Sequence, residues 1–392
     1  MNSVEYLAGS QEVSSAPLAA YSDEALAFLS DLSKELLRER HTRAYPDVVS
    51  FAFWCRKGNL QKLQASCADW GQRLGRGLAF HVAPSNVPVN FAFSFAFSLL
   101  AGNGNIVRVP SKPFPQVQLI CGAVSQLLPS HPEIERRAAF VRYPVNQDIT
   151  ANFCATSDVR IIWGGDKTVQ TVRSCPVKPK CVDLVFADRY SICVLNGKEI
   201  EQTDTRSLQT LVEGFYNDTY LMDQNACSSP QMVLWVNGSM DARERFWGAV
   251  TEYVAARYEL QGMTAVDKYT QLCEDAVEHP EVKRVVRLGG NLLYRAELSG
   301  LPQKAGDSLR GKGGYFYEAN LSALEELCPL VNGKYQTLTY FGLEPERLQN
   351  MVIENRLSGI DRIVPVGRAM DIDVIWDGYD IIRMLSRILQ AE

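Results

Sequence analysis

Apolar positions along this chain switch repeatedly between helical and strand spacing. Between residues 21 and 40, Leu26, Leu29, Leu32 and Leu36 recur at helical intervals. Ser22 stands where an N-cap belongs and Asp23 and Glu24 fall in the first turn, so an amphipathic helix is predicted there. Farther on, Leu78-Ala79-Phe80-His81-Val82 reads as a strand that turns at Pro84 and Pro88. An apolar segment over 89–100 follows, stopped by Gly102, and a second strand is predicted at 106–109. The middle segment is ambiguous by pattern alone. Phe91, Phe93, Phe95 and Phe97 alternate with small residues, which is period two and argues for a strand. A strand there would leave two parallel neighbours without a crossover, so 89–100 is read as a helix buried on most sides. The phenylalanine row is then core packing and not an acyl channel.

The same alternation continues. Helices are predicted over 116–128 and 148–155, with strands at 139–143, 159–163, 182–186 and 191–195. Gly164-Gly165-Asp166 opens another helix. A second series starts near Ser207 with a helix to 220, a polar loop, a strand at 231–236 and a helix over 241–258. Gly289-Gly290 and Gly311-Lys312-Gly313-Gly314 punctuate later loops, and the last strand is expected at 362–366. Strands alternating with helices predict a doubly wound α/β architecture for the first series and a second α/β unit after it. The first 70 residues carry nothing diagnostic.

Composition narrows the class. The chain has 392 residues, enough for two or three structural units, and its 46% hydrophobic and 22% charged content is that of an ordinary globular protein. A formal net charge of −5 gives no reason to expect a nucleic acid or an anionic membrane surface as partner. Residues 1–11 lack the basic and apolar regions of a secretory signal. The longest apolar stretch, 87–101, is interrupted and too short to span a bilayer. Ten cysteines without a CxxC pair suggest reduced thiols and a cytoplasmic location. No zinc-ligand spacing, P-loop or complete G-x-G-x-x-G occurs; Gly102-Asn103-Gly104 lacks the third glycine. No metal is expected.

One cysteine is placed differently from the rest. Cys193, for example, lies in the apolar run Ile192-Cys193-Val194-Leu195, whereas Cys227 lies in Met222-Asp223-Gln224-Asn225-Ala226-Cys227-Ser228-Ser229-Pro230-Gln231. A thiol in a polar, small-residue loop can be exposed and ringed by backbone N–H groups, conditions that favour a nucleophilic thiolate. The bland alternative is a packed loop cysteine. His81, on an apolar strand, is read as a satisfied core residue.

Three blocks in order carry a family resemblance. Pro84-Ser85-Asn86-Val87-Pro88 and Ala101-Gly102-Asn103…Pro110-Ser111-Lys112 are similar to signatures of the aldehyde dehydrogenases. With the loop around Cys227 and the run Gly359-Ile360-Asp361-Arg362-Ile363-Val364-Pro365-Val366-Gly367-Arg368, they most closely resemble the LuxC-like acyl-CoA reductases of the bacterial-luminescence type. The resemblance implies an aldehyde-dehydrogenase-like α/β fold, with a doubly wound cofactor-binding domain packed on a catalytic domain. Expected boundaries are 1–200, 201–366 and a bridging or oligomerisation tail at 367–392. It further implies a homo-oligomer, an acyl-CoA substrate and an acyl-protein synthetase as candidate partner.

The resemblance also assigns roles. Cys227 would carry the acyl group, while the Asn86 amide and the Cys227 N–H would hold the oxyanion. Aldehyde-oxidising relatives place a glutamate base before the cysteine; here the counterpart is Asp183, in Val182-Asp183-Leu184, and its bland reading is a salt bridge. In the signature segment after the second strand, Ser111 and Lys112, with Arg108 nearby, stand where NAD-preferring enzymes carry a glutamate. Cations there favour a 2′-phosphate, so NADPH is expected. Gly164 and Gly165, at a strand-to-helix turn, offer N–H groups to a pyrophosphate. Two other readings stay open: a cysteine acyltransferase without hydride transfer, and a non-catalytic acyl-binding scaffold.

Overall fold

A computed structural model describes residues 4–66, 69–85, 87–302 and 306–391 of the chain. Two units result: one comprises Met1–Asp188 with Tyr379–Glu392, the other Arg189–Gly378. The first is built on strands β1 (Glu5–Gly9), β2 (Arg73–Gly75), β3 (Leu78–Val82), β4 (Gly104–Arg108), β5 (Ala138–Arg142), β6 (Val159–Trp163) and β7 (Val182–Phe186). All but β2 form one sheet in the order β1-β5-β4-β3-β6-β7. It is parallel apart from β1, which runs antiparallel to β5. Connections leave β3 first toward β4 and β5 and then toward β6 and β7. The strand order therefore reverses between β3 and β6, and ligands of such sheets bind beyond the carboxyl ends of the strands at that reversal.

Side-chain alternation explains the layers. Leu78, Phe80 and Val82 of β3 join a core with Cys154, Val169 and Val172 on one face. His81 points to the other face, where its Nδ1 lies 2.8 Å from Ser94 Oγ on the helix Asn90–Leu100. That helix is buried at every residue. Phe95 and Phe91 pack edge-on to Phe140, while Phe93 and Phe97 meet Trp54, so the phenylalanine row is packed core on several sides. The helix Asp23–Arg38 is capped by Ser22, whose hydroxyl accepts from the Ala25 N–H.

The second unit contains β8 (Tyr190–Asn196), β9 (Pro230–Val236), β10 (Val282–Leu288), β11 (Leu293–Leu298), β12 (Tyr315–Leu321), β13 (Tyr335–Phe341) and β14 (Arg362–Pro365). Their order is β10-β11-β12-β9-β8-β13-β14, again parallel except for one edge strand, β10. One face packs Cys193, Leu195, Val233 and Trp235 against the helices Thr205–Thr219 and Met240–Ala255. The other packs Ile192, Val194, Met232 and Leu234 with Leu324, Leu348 and Met351.

Two features differ from the expected organisation. The 191–195 strand was expected in the first domain, but β8 is bonded on both sides by strands of the second sheet, which places the division before it, at Asp188. The 362–366 strand is also not the last. Ser386–Ile388 forms a further strand, antiparallel to β2, so the end of the expected tail is part of the first unit.

Candidate active site

Cys227 is carried on a loop at the amino end of the second sheet, between the helix Thr205–Thr219 and β9. After a short 3₁₀ turn over Tyr220–Met222, Asp223 and Gln224 both take left-handed backbone angles, φ 50° and 60°. Two consecutive non-glycine residues in that region are strained and persist only where the surroundings enforce them. The enforcing contacts come from the glycine-rich run 311–314. The Gly313 N–H donates to Asp223 O at 3.0 Å. Gln224 Oε1 accepts from the N–H groups of Gly314 and Tyr315, both at 3.2 Å, and its Nε2 donates to Pro230 O and Tyr315 O, both at 3.0 Å. Gln231 closes the other side, donating to Gln224 O and accepting from the Gly311 N–H. Gly314 has φ 90° and a Cβ there would collide with the Tyr220 hydroxyl and Leu292 O, so glycine is required for this approach.

The result is a cysteine held by its neighbours. Ala226, Ser228, Ser229 and Pro230 are buried, while Cys227 itself is exposed. Ser191 Oγ donates to Cys227 O at 2.6 Å and accepts from the Thr337 N–H, tying the loop to β8 and β13. Among the described cysteines, Cys227 and Cys273 are exposed. Burial pushes the Cys121 and Cys193 thiols up to about 12, so those are inert as nucleophiles near neutral pH.

A second loop, 367–371, adjoins this one. The Gly367 and Ala369 N–H groups donate to the Asp218 carboxylate at 2.6 and 2.9 Å. The carbonyls of Arg368, Ala369 and Asp371 accept from the Arg362 guanidinium at 2.7–2.8 Å. Gly367, at φ 96°, lies backbone to backbone against Gly214, with room for no Cβ. The loop places Met370 where its Sδ accepts from Ser228 Oγ at 3.5 Å. Burial raises the Asp218 pKa to about 7 in spite of the two N–H bonds.

In the first unit, the carboxyl edges of β4, β3 and β6 are neighbours, which brings the remaining candidates to one edge of the sheet. Ser111 and Lys112 follow β4 and are exposed. Arg108, the last residue of β4, turns onto Tyr143: its guanidinium carbon is 4.4 Å from the ring centroid, and its buried Nε has no hydrogen-bond partner among the described residues. Gly164 and Gly165 follow β6 at the strand-order reversal, and Gly165 is the N-cap of the helix Asp166–Arg173. Two cations and a helix N-terminus suit a phosphate-bearing ligand. Asn86, in the segment after β3, lies outside the described residues. Asp183 is held in a bidentate pair with Arg160, 2.7 Å at each oxygen, and is not presented as a base. His81 is neutral core: burial pulls its pKa down to about 4, and Ser94 and Asn105 bond its two ring nitrogens.

Sequence reasoning passed over Gln224, Gln231 and Asp218, which build the cysteine's surroundings. It also passed over Lys268, whose buried ammonium donates to Asn291 O, Leu292 O and Gly313 O and so braces the glycine run from behind. The available signal was Gly311-Lys312-Gly313-Gly314, a run that demands a close backbone approach by something. Among the described residues, no group of three or more His, Cys, Asp or Glu is placed to hold a metal ion, and no helix is long and apolar enough to cross a membrane.

Comparison with known proteins agrees with the two-sheet architecture. The fold is that of the aldehyde dehydrogenases. Aldehyde dehydrogenase 21 from Physcomitrella patens superposes with a TM-score of 0.64 at 12% identity, covering 94% of this chain and 85% of that one. Among curated proteins, the long-chain acyl-protein thioester reductase of Photobacterium phosphoreum is 22% identical over 326 residues, 80% of this chain and 62% of the relative. The long-chain acyl-protein thioester reductase 2 of Photobacterium leiognathi is 26% identical over 172 residues, 43% of this chain and 34% of that protein. The chain thus spans less than two thirds of the length of either relative. The family model for acyl-CoA reductase (LuxC) matches residues 13–267, taking in the edge of the first sheet and the Cys227 loop together, and the chain belongs to that family.

Proposed function

We propose that this chain reduces a fatty acyl thioester to the aldehyde through an acyl group carried on Cys227, with NADPH as reductant and acyl-CoA as acyl donor. The observation that carries the reading is the exposed Cys227 on a loop of buried, hydrogen-bonded neighbours, in a chain of this family. In the first step Cys227 Sγ, as thiolate, bonds to the acyl carbon, the carbon–sulfur bond to the donor breaks, and the donor thiolate leaves and takes a proton. The Asn86 amide and the Cys227 N–H hold the charge that develops on the carbonyl oxygen, an arrangement worth about 10²–10³ in rate per donor. When bound, the nicotinamide supplies the hydride that reduces the acyl carbon. The thiohemiacetal left on Cys227 then loses its hydroxyl proton, its carbon–sulfur bond breaks, the aldehyde departs, and the Cys227 thiolate is restored.

The residues that would hold the cofactor are Ser111, Lys112, Gly164 and Gly165. Arg108 contributes less, because its guanidinium is engaged by Tyr143. Asp183, the counterpart of the glutamate base of aldehyde-oxidising relatives, is engaged by Arg160, which supports thioester chemistry over hydrolysis. The curated relatives are named for acyl-protein thioesters, so an acyl-protein synthetase is the alternative source of the acyl group. We also take the protein to act as a cytoplasmic homo-oligomer.

Absorbance at 340 nm during incubation with acyl-CoA and NADPH tests the reading. It expects NADPH consumption with stoichiometric free CoA, and a single acyl adduct by intact-mass spectrometry. Cys227→Ser should lose both adduct and reduction, because an alcohol has no thiolate character near neutral pH. An adduct without NADPH consumption would indicate an acyltransferase, and an adduct persisting in Cys227→Ser would move the nucleophile elsewhere.

A further inference from the structure

We propose that Met370 determines which acyl chains reach Cys227, as an apolar wall that the chain meets beyond its first carbons. The inference rests on the acyl-thioester reading above and adds the residue that selects among substrates. It starts from how completely the loop 367–371 is specified. Its backbone donors go to Asp218 and its carbonyls to Arg362, both buried or half-buried side chains contributed by other segments. The turn is closed internally by the Arg368 N–H to Pro365 O and the Asp371 N–H to Arg368 O. The Gly214–Gly367 approach locks it to the helix Thr205–Thr219.

A loop this constrained presents its side chains in set positions. Met370 is directed at Ser228, the residue after the nucleophile, with Ser228 Oγ donating to its sulfur at 3.5 Å. Consecutive Cα atoms are about 3.8 Å apart, so the thioether stands within one residue's reach of Cys227. It is also half-buried, so part of its surface is open, and Cys227 beside Ser228 is exposed. Its chemistry suits the task. An unbranched, polarizable thioether adapts to an alkyl chain without a fixed rotamer, and it offers no charge that an acyl chain would have to desolvate. The remaining side chains of the loop do not share this character: Arg368 is paired with Asp371 at 2.5 Å, and Ala369 is buried. Met370 is thus a specificity-determining residue and takes no part in bond making.

Two measurements separate this role from simple packing beneath Ser228. The first compares kcat/KM for acyl-CoA donors from four to sixteen carbons in the wild type, Met370→Ala and Met370→Trp. The larger ring should depress the long-chain donors by about 10-fold relative to the shortest, and alanine should move the ratio the other way. The second needs no turnover. Cys227 modification by N-ethylmaleimide and N-dodecylmaleimide, read by peptide mass spectrometry, should show the same change in ratio between short and long reagents. If wild type reduces no acyl thioester, the functional reading fails while the maleimide ratio still decides the role of Met370. Should Met370→Trp not fold, Met370→Phe replaces it. Ratios unmoved by substitution, with Tm lowered instead, would overturn the proposal and make Met370 a packing residue.

Discussion

The side-chain amide of Gln224 makes four hydrogen bonds, two given and two received, and all of them end on backbone groups of Pro230, Gly314 and Tyr315. That uses both of its donors and both acceptor lone pairs. A buried amide so satisfied stabilises one conformation of the loop, and Cys227 inherits that conformation three residues on. Lys112 presents the opposite situation: an exposed cation after β4 with the solvent as its surroundings. Its proposed partner is the 2′-phosphate of NADPH, and the test is electrostatic. Lys112→Glu removes a cation and adds a like charge beside the phosphate, while offering the NADH ribose hydroxyls an acceptor. Michaelis constants should rise for NADPH much more than for NADH, shifting preference toward NADH. Arg108→Ala should shift it less, since that guanidinium lies on the Tyr143 ring. A preference untouched by Lys112→Glu would leave Lys112 as an ordinary solvated lysine.

Capped amphipathic helices and short apolar strands bounded by turns, such as 78–82 and 159–163, were legible in the sequence; elements whose pattern does not show their type were not legible from pattern alone. The helix Asp23–Arg38 announced itself through Ser22 and its leucines. Asn90–Leu100 had to be argued from topology against its own period-two pattern, because a helix buried all round has no polar face to show the period. β12, Tyr315–Leu321, offered no strand signal beyond aromatic content and carries a glutamate. Glu318 lies inside because Arg295, Trp235 and Trp247 all donate to it, a pairing invisible before the sheet exists. The candidate cysteine stood out in the sequence as one in a polar loop among apolar cysteines; the residues that fix its loop did not, since a glutamine in a polar loop looks solvated until Gly314 is seen against it.

Asp218, on the helix Thr205–Thr219, is the same case with a pH dependence attached. Its folded pKa is raised to about 7 by burial, so between about 4 and 7 the folded protein holds a proton that the unfolded chain has released. Its contribution to stability is therefore complete below about 4 and is lost as pH rises through 7. His81, neutral in the fold with its pKa down at about 4, works in the opposite direction between about 4 and 6.5. The difference between wild type and Asp218→Asn isolates the carboxyl. Tm of the wild type should fall relative to Asp218→Asn as pH goes from 5 to 8, measured by calorimetry. Parallel profiles would mean that Asp218 is ionised throughout and that its two N–H bonds outweigh burial.

At the scale of the whole chain, the second unit is an insertion within the first. The chain leaves the first unit at Asp188 and returns at Tyr379, and the returning segment completes a core begun some three hundred residues earlier. Ile381, Ile382 and Leu385 are buried there. Asn103 Nδ2 donates to Leu385 O, Arg76 to Met384 O, and Arg383 pairs with Asp69 through both guanidinium nitrogens at 2.9 Å. Ser386–Ile388 then adds its strand to β2. The C-terminal segment is therefore a structural member of the sheet unit that carries Lys112 and Gly164, and its loss should be felt as loss of stability. Ile382→Ala should destabilise the fold by about 2–5 kcal/mol, the range for emptying a buried aliphatic site. Leu389→Ala is the matched control: its side chain is about half exposed, and its backbone N–H, which donates to Gln72 O, is what ties it to the unit. That substitution should stay within about 0.5 kcal/mol of wild type. Denaturant unfolding of the three proteins decides the matter. Equal midpoints for Ile382→Ala and Leu389→Ala would show that the returning segment docks too weakly to belong to the core of the first unit.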